Sequence, residues 1–308
     1  MKHLALVFFT IFSFSSMAQT VNVSGIEKLR EGKLIAALTG NEEVDNAFKD
    51  ALSTFWDITE IEEFLPYKDA KEKAKNDKST YLIYITSGSS IGPSRSASSS
   101  NASYRYISKS KRVKISSGKK NSNPILYCYF PSSSDGRATK ESLFFAVANM
   151  QYTAETMLND GIKSTLKWNK IYNKFNQELK DLTIYLFEGW VESGLTSERV
   201  QEIYPASIKV VTFDEWSEVV LTRKEGAAYC LIAPIPQAGK YTYVHYFMKS
   251  GEAKVLGTSY SLVNPTFKGP EMSVGGVNFI GEDIDLSKVN SGYITEQNVK
   301  KYTKMIAD

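Results

Sequence analysis

The chain has 308 residues with 37 Lys and Arg against 34 Asp and Glu, and 42% of it is hydrophobic, 12% aromatic. That composition is ample for buried cores and excludes overall disorder. Two histidines and two cysteines leave little material for a zinc site or for imidazole catalysis.

In chain order, residues 1–18 come first as a targeting segment. Lys2 supplies the positive end, Leu4 to Phe12 an apolar stretch broken only by Thr10, and Ser16-Met17-Ala18 a small-residue cleavage site ahead of Gln19. An apolar run of about ten residues at ~1.5 Å each spans about half of a ~30 Å hydrocarbon core, so a cleaved signal is expected rather than an anchor. The mature protein is then exported, periplasmic or extracellular, with no later window apolar enough to span a membrane. At ~100–200 residues per domain the remainder divides naturally in two. The expected division is an α/β domain over 25–158, a connecting helix over 159–182 and a second α/β domain over 183–308.

After a short polar lead, Asn41 caps a helix through EEVDNAFKDALSTFW, with Val44, Phe48, Leu52 and Phe55 at helical spacing and Glu42 and Glu43 in its first turn. ITEIEEFLPY reads as a strand, DAKEKAKND as a charged helix and STYLIYIT as a second strand. Residues 87–124 then hold 14 serines in 38 positions, a composition expected to stay a flexible insertion. Within it, SYRYISKSKRVKISS alternates weakly at period two, the pattern of an exposed hairpin. NPILYCYFP follows as a core strand. Thr139 to Leu158 follows as a helix with Leu143, Val147, Met150, Ala154 and Met157 on one face, stopped at Gly161.

The second half reads as strand LTIYLFEGW, helix LTSERVQEIY, strand ASIKVVTF, helix EWSEVVLTRK, and strands AAYCLIAPI and YTYVHYFMKS. Thr212 and Glu215 have the spacing of a capping box. Residues 251–291 are Gly- and Pro-rich and are expected on the surface or at a sheet edge. TEQNVKKYTKMI closes the chain as a helix with Val299, Tyr302, Met305 and Ile306 inward. The stretches at 61–85 and 208–232 share the order strand, helix, strand over equal length. An internal duplication and a chance match both account for this, since side-chain identity is slight. The expected fold class is α/β: two small layered α/β domains with right-handed crossovers, after a cleaved signal peptide.

The stretches FWDITEIEEFLPY, ESLFFAVANMQYTAETML and VQEIYPASIKVVTFDEW resemble a group of uncharacterised bacterial exported proteins with tandem α/β domains. The resemblance covers about a third of the chain. It implies architecture and export, and it carries no activity.

Chemistry-bearing residues are few. His245, the one histidine outside the signal segment, alternates with Val244 and Tyr246 and is expected to be a partly buried residue satisfied by one hydrogen bond; no G-x-S-x-G elbow accompanies it. Cys128 and Cys230 lie in apolar runs and read as buried free thiols, with a disulfide as the other reading. Glu282, Asp283 and Asp285 form an acidic turn without the full calcium-loop pattern. No metal site, cofactor or catalytic residue is assigned, and the glycine stretches match no phosphate-binding spacing.

Charge is distributed unevenly. Residues 79–134 contain eight basic residues and no acidic one, namely Arg95, Arg105, Lys109, Lys111, Arg112, Lys114, Lys119 and Lys120. With Tyr104 and Tyr106 they make a candidate contact for an anion: lipid head groups, a surface polyanion or an acidic envelope partner. DNA is not expected in an exported protein. The bland alternative is a solubilising loop. The favoured function is non-enzymatic binding of a partner or ligand; the alternative is a hydrolase using carboxylates or a Ser-His pair built on His245.

Overall fold

Helix α1 (Val23–Arg30) leads into strand β1 (Lys33–Leu38), where the described fold begins. The computed structural model describes residues 23–307 apart from 92–94, 97–102, 118–123, 134–135, 163–170, 238–239, 263–270, 275–276 and 284–293. The expected signal segment lies outside the described residues. No helix among the described residues is long and apolar enough to cross a membrane.

The first half continues through α2 (Glu42–Phe55), β2 (Ile61–Pro66), α3 (Tyr67–Asn76), β3 (Thr80–Ile91), β4 (Arg95–Ser96), β5 (Ser103–Ser117), β6 (Leu126–Phe130) and α4 (Lys140–Asn159). Asn41 caps α2 by accepting from the Val44 amide at 3.1 Å, and Thr139 caps α4 through Ser142 at 3.2 Å. The second half holds β7 (Thr183–Phe187), α5 (Ser197–Ile203), β8 (Ile208–Val211), α6 (Phe213–Thr222), β9 (Ala227–Gln237), β10 (Lys240–Lys249), β11 (Val255–Leu262), β12 (Glu271–Val274), β13 (Val277–Asp283) and α7 (Glu296–Ala307). Thr212 accepts from the Glu215 amide at 3.4 Å, one arm of the expected capping box.

The molecule is α/β, with two mixed sheets each packed by helices. In the first, β1 lies between β2 and β3, parallel to both; β3 pairs antiparallel with β5, and β5 antiparallel with β6. In the second, β7 lies between β8 and β9, parallel to both; β9 pairs antiparallel with β10, and β10 with β11. One topology is therefore built twice. Even register repeats: Lys33 faces Thr80 as Thr183 faces Ala227. The segments 61–85 and 208–232, similar only in pattern, occupy the same place in the two sheets.

The described parts of residues 251–291 serve as edges of both sheets. β11 closes the second, while β12 and β13 extend the first by parallel pairing of β13 with the early part of β5. Part of the expected connecting helix, 163–170, lies outside the described residues; beyond it Ile171 and Tyr172 are helical, and a 3-10 turn, Asn176–Asp181, leads to β7. Asn173 and Asn176 use their amides elsewhere, Asn173 accepting from the Thr258 amide at 2.8 Å and Asn176 donating to the Met305 carbonyl at 2.5 Å.

Burial explains the arrangement. Leu34 and Ala36 of β1 face the main core, whereas Ile35 and Ala37 face Ala70 and Ala74 of α3, so β1 is apolar on both sides. Helix α4 carries more than the expected single apolar face. It is buried nearly all round, packing against α2 and β6 and also against α6 of the other half. Phe145 of α4 meets Tyr246 of β10 with ring centroids 5.1 Å apart, and Ser217 of α6 donates to Glu141 of α4 at 2.6 Å. One continuous hydrophobic cluster joins the two halves.

Candidate functional site

The basic segment forms a strand. The sequence predicts a flexible arm, and the structure corrects this: residues 103–117 run as one strand, paired along one edge by β3 and along the other by β13 and then β6. Backbone hydrogen bonds on both edges, with Val113 and Ile115 fully buried, offset the ordering entropy that the serine content implies.

A strand alternates its side chains, so the basic cluster splits. Arg112 and Lys114 lie on one face, opposite Tyr129 and Tyr127 of β6, while Lys111 shares the parity of Val113 and Ile115 on the other. The Arg112 guanidinium carbon sits 5.0 Å from the Tyr127 ring centre and 5.5 Å from that of Tyr129, and its Nη1 donates to the Tyr129 hydroxyl at 3.3 Å. Lys114 Nζ lies 5.7 Å from the ring centre of Tyr84, on the neighbouring β3. Tyr129 reaches over this face because residue 88 is glycine: a Cβ there would stand 2.5 Å from the Tyr129 hydroxyl. Burial raises the Tyr129 phenol above its ordinary range, so it stays neutral beside the arginine.

Arg112 is half-buried, and its Nε is buried without a hydrogen-bond partner. Among the described residues none of Lys111, Arg112 and Lys114 forms an ion pair. Arg95, Tyr104, Arg105, Tyr106 and Lys109 are placed by backbone alone, on β4 and on the first half of β5. Lys119 and Lys120 lie outside the described residues. The structure therefore brings together Arg112, Lys114, Tyr84, Tyr127 and Tyr129. The three tyrosines were missed as site residues, although the Tyr-Cys-Tyr spacing in β6 places two rings on one face.

His245 is fully buried with two partners, where the sequence predicts partial burial and one. Its Nδ1 bonds the Tyr302 hydroxyl of α7, and Nε2 lies 2.8 Å from Ser261 Oγ on β11. Desolvation, reinforced by the charge of Lys301, lowers its pKa to about 3. Burial holds the Tyr302 phenol well above its ordinary range. The trio is thus an uncharged chain of serine, imidazole and phenol. An imidazolium formed here would face a neutral phenol and a nearby cation, the reverse of the carboxylate support a nucleophilic serine requires.

Cys128 and Cys230 are buried free thiols, and burial pushes the Cys230 thiol far above its usual range. Glu282 and Asp283 close β13 instead of forming a turn, and Asp285 lies outside the described residues. Among the described residues no three His, Cys, Asp or Glu side chains gather as a metal site would need.

No protein-family model, no curated protein and no solved structure matches this chain.

Proposed function

We propose that the protein is an exported, non-catalytic binding protein of the cell envelope, whose first sheet contacts an anionic surface or an acidic partner through Arg112 and Lys114. One observation carries this reading. Arg112 is half-buried beside two tyrosine rings with one donor unused and, among the described residues, no carboxylate paired to it. A partly desolvated charge without a counter-charge is costly, and an incoming phosphate, sulfate or carboxylate removes that cost. Residues 1–18 support export, and the charge imbalance of residues 79–134 supports an anionic partner.

Flotation with vesicles containing phosphatidylglycerol, and retention on immobilised heparin, test it across a salt series. Binding should weaken steeply as salt rises. At ~1 kcal/mol per basic residue near an anionic surface, Arg112→Gln with Lys114→Gln should bind about 30-fold more weakly. Binding that ignores both salt and the double variant would remove this face from consideration.

The Ser261–His245 contact favours a second reading, a hydrolase built on that pair. Its weakness is the base: a fully buried imidazole beside Lys301 must take up a proton at the chemical step. Hydrolysis of an ester substrate that disappears in Ser261→Ala and in His245→Gln, with folding retained, would establish this second reading.

A further inference from the structure

An open cleft of about 520 Å³ lies where the two halves meet, bounded by the end of α2, the last turns of α4, and the loops after α6 and β10. Its size falls in the range of small-molecule sites.

Seven charged side chains line it, and four of them are already neutralised. Lys174 pairs with Asp160 at 2.7 Å, Lys254 with Glu178 at 2.7 Å, and Glu252 with Lys249 at 2.6 Å. Two carboxylates and one guanidinium are left, on Asp57, Glu155 and Arg223; among the described residues none of these three forms an ion pair. The carboxylates are held together. Gln151, only 1% exposed, donates its amide nitrogen to Asp57 Oδ1 and to Glu155 Oε1, the latter at 2.9 Å, while its Oε1 accepts from the Asp57 backbone amide at 3.1 Å. A buried side chain is thus wholly committed to fixing two acids at the cleft, each with a second oxygen to spare.

Arg223 stands across the Phe55 ring, its guanidinium carbon 5.9 Å from the ring centre. It follows α6 with φ 59° and ψ 45°, the left-handed conformation that favours glycine, and it is the one described non-glycine residue with positive φ. Space for it is kept by Gly251, where a Cβ would stand 2.6 Å from the Arg223 Cβ. An arginine kept in strained backbone at the rim of a cleft points to use of its side chain.

We propose that this cleft is a second binding site, for a small zwitterion of free amino acid or dipeptide size. The ammonium group sits between Asp57 and Glu155, and the carboxylate sits on Arg223. The site is separate from the tyrosine-lined sheet face and does not depend on it.

The test is isothermal titration with L-alanine, L-alanyl-L-alanine, the N-acetylated dipeptide and the dipeptide amide. One of the two zwitterions should bind saturably, and whichever binds more tightly sets the size of the ligand. Capping either charge should weaken binding by about tenfold or more, the loss expected when a charged hydrogen bond is removed. Arg223→Gly is the decisive variant: glycine relieves the backbone, so the melting temperature should hold or rise while binding falls at least as far. No saturable binding of either zwitterion up to its solubility limit would overturn the proposal. So would equal binding of the capped forms, which marks an adaptable polar groove, or unchanged binding by Arg223→Gly.

Discussion

One buried imidazole, His245, gives this molecule a pH response in the mildly acidic range. His245 has a folded pKa of about 3 against an ordinary 6.5, because burial and Lys301 both disfavour its charged form. The unfolded chain therefore binds a proton below pH 6.5 that the folded chain refuses until about pH 3, and stability falls as pH drops through that window. At ~1.4 kcal/mol per unit, about 2 kcal/mol should be lost between pH 7 and pH 5. Urea midpoints across that range check it. His245→Gln should be less stable at neutral pH yet flatter in its response, and an equally steep response in the variant would assign the effect to other groups. Tyr302→Phe removes the hydroxyl partner of Nδ1 and should cost about 1–3 kcal/mol, read in the same titration. The apolar strand YTYVHYFM made partial burial of His245 legible, though not its complete burial. Its partners were not legible, because Tyr302 comes from a helix near the end of the chain and Ser261 from a segment whose Gly and Pro content reads as loop. Arg223 was equally hidden: nothing in LTRKEG announces a left-handed residue other than its glycine, three positions on.

Helix α4 is the element that ties the molecule together. Phe145 is fully buried and touches Tyr246 across the boundary between halves, so Phe145→Ala should destabilise by about 3–5 kcal/mol through the cavity it leaves. Thr139→Ala, which removes only the cap, should cost about 1 kcal/mol. Guanidinium denaturation of both variants separates the two effects, and similar losses would mean that the Phe145 site collapses around its void. Sequence periodicity located α4 within a residue at each end, yet it showed only one of the faces that are buried. Strand β1 escaped notice for the opposite reason. KLIAAL is apolar without alternation because both its faces are covered, by the main core on one side and α3 on the other, so it gives no period-two signal. The long β5 went unread as a core strand because serine, lysine and arginine fill most of its positions on both faces, leaving Val113 and Ile115 as the visible apolar pair.

At the scale of the whole molecule, a repeated topology is fused through a shared core. Two independent units would melt separately, whereas a continuous cluster through α4 predicts one cooperative transition reported alike by Trp56 and by Trp216. Fluorescence of single-tryptophan variants checks this, and two resolved midpoints would show that the shared packing does not couple the halves. The repeat was visible in the matched lengths of 61–85 and 208–232, and the matching start of the β1–β3 and β7–β9 pairings now gives that match a geometric basis, although β1–β2 carries a bulge that β7–β8 lacks. What pattern reading left out was the return of the chain. Strand β13 leaves the second half to lie beside β5, so the first sheet is finished by residues synthesised near the end of the polypeptide. Until β13 has been synthesised, the nascent chain carries an open edge along the first half of β5. On the proposal that the protein is exported, late pairing of that edge is a built-in delay before threading through a translocation channel.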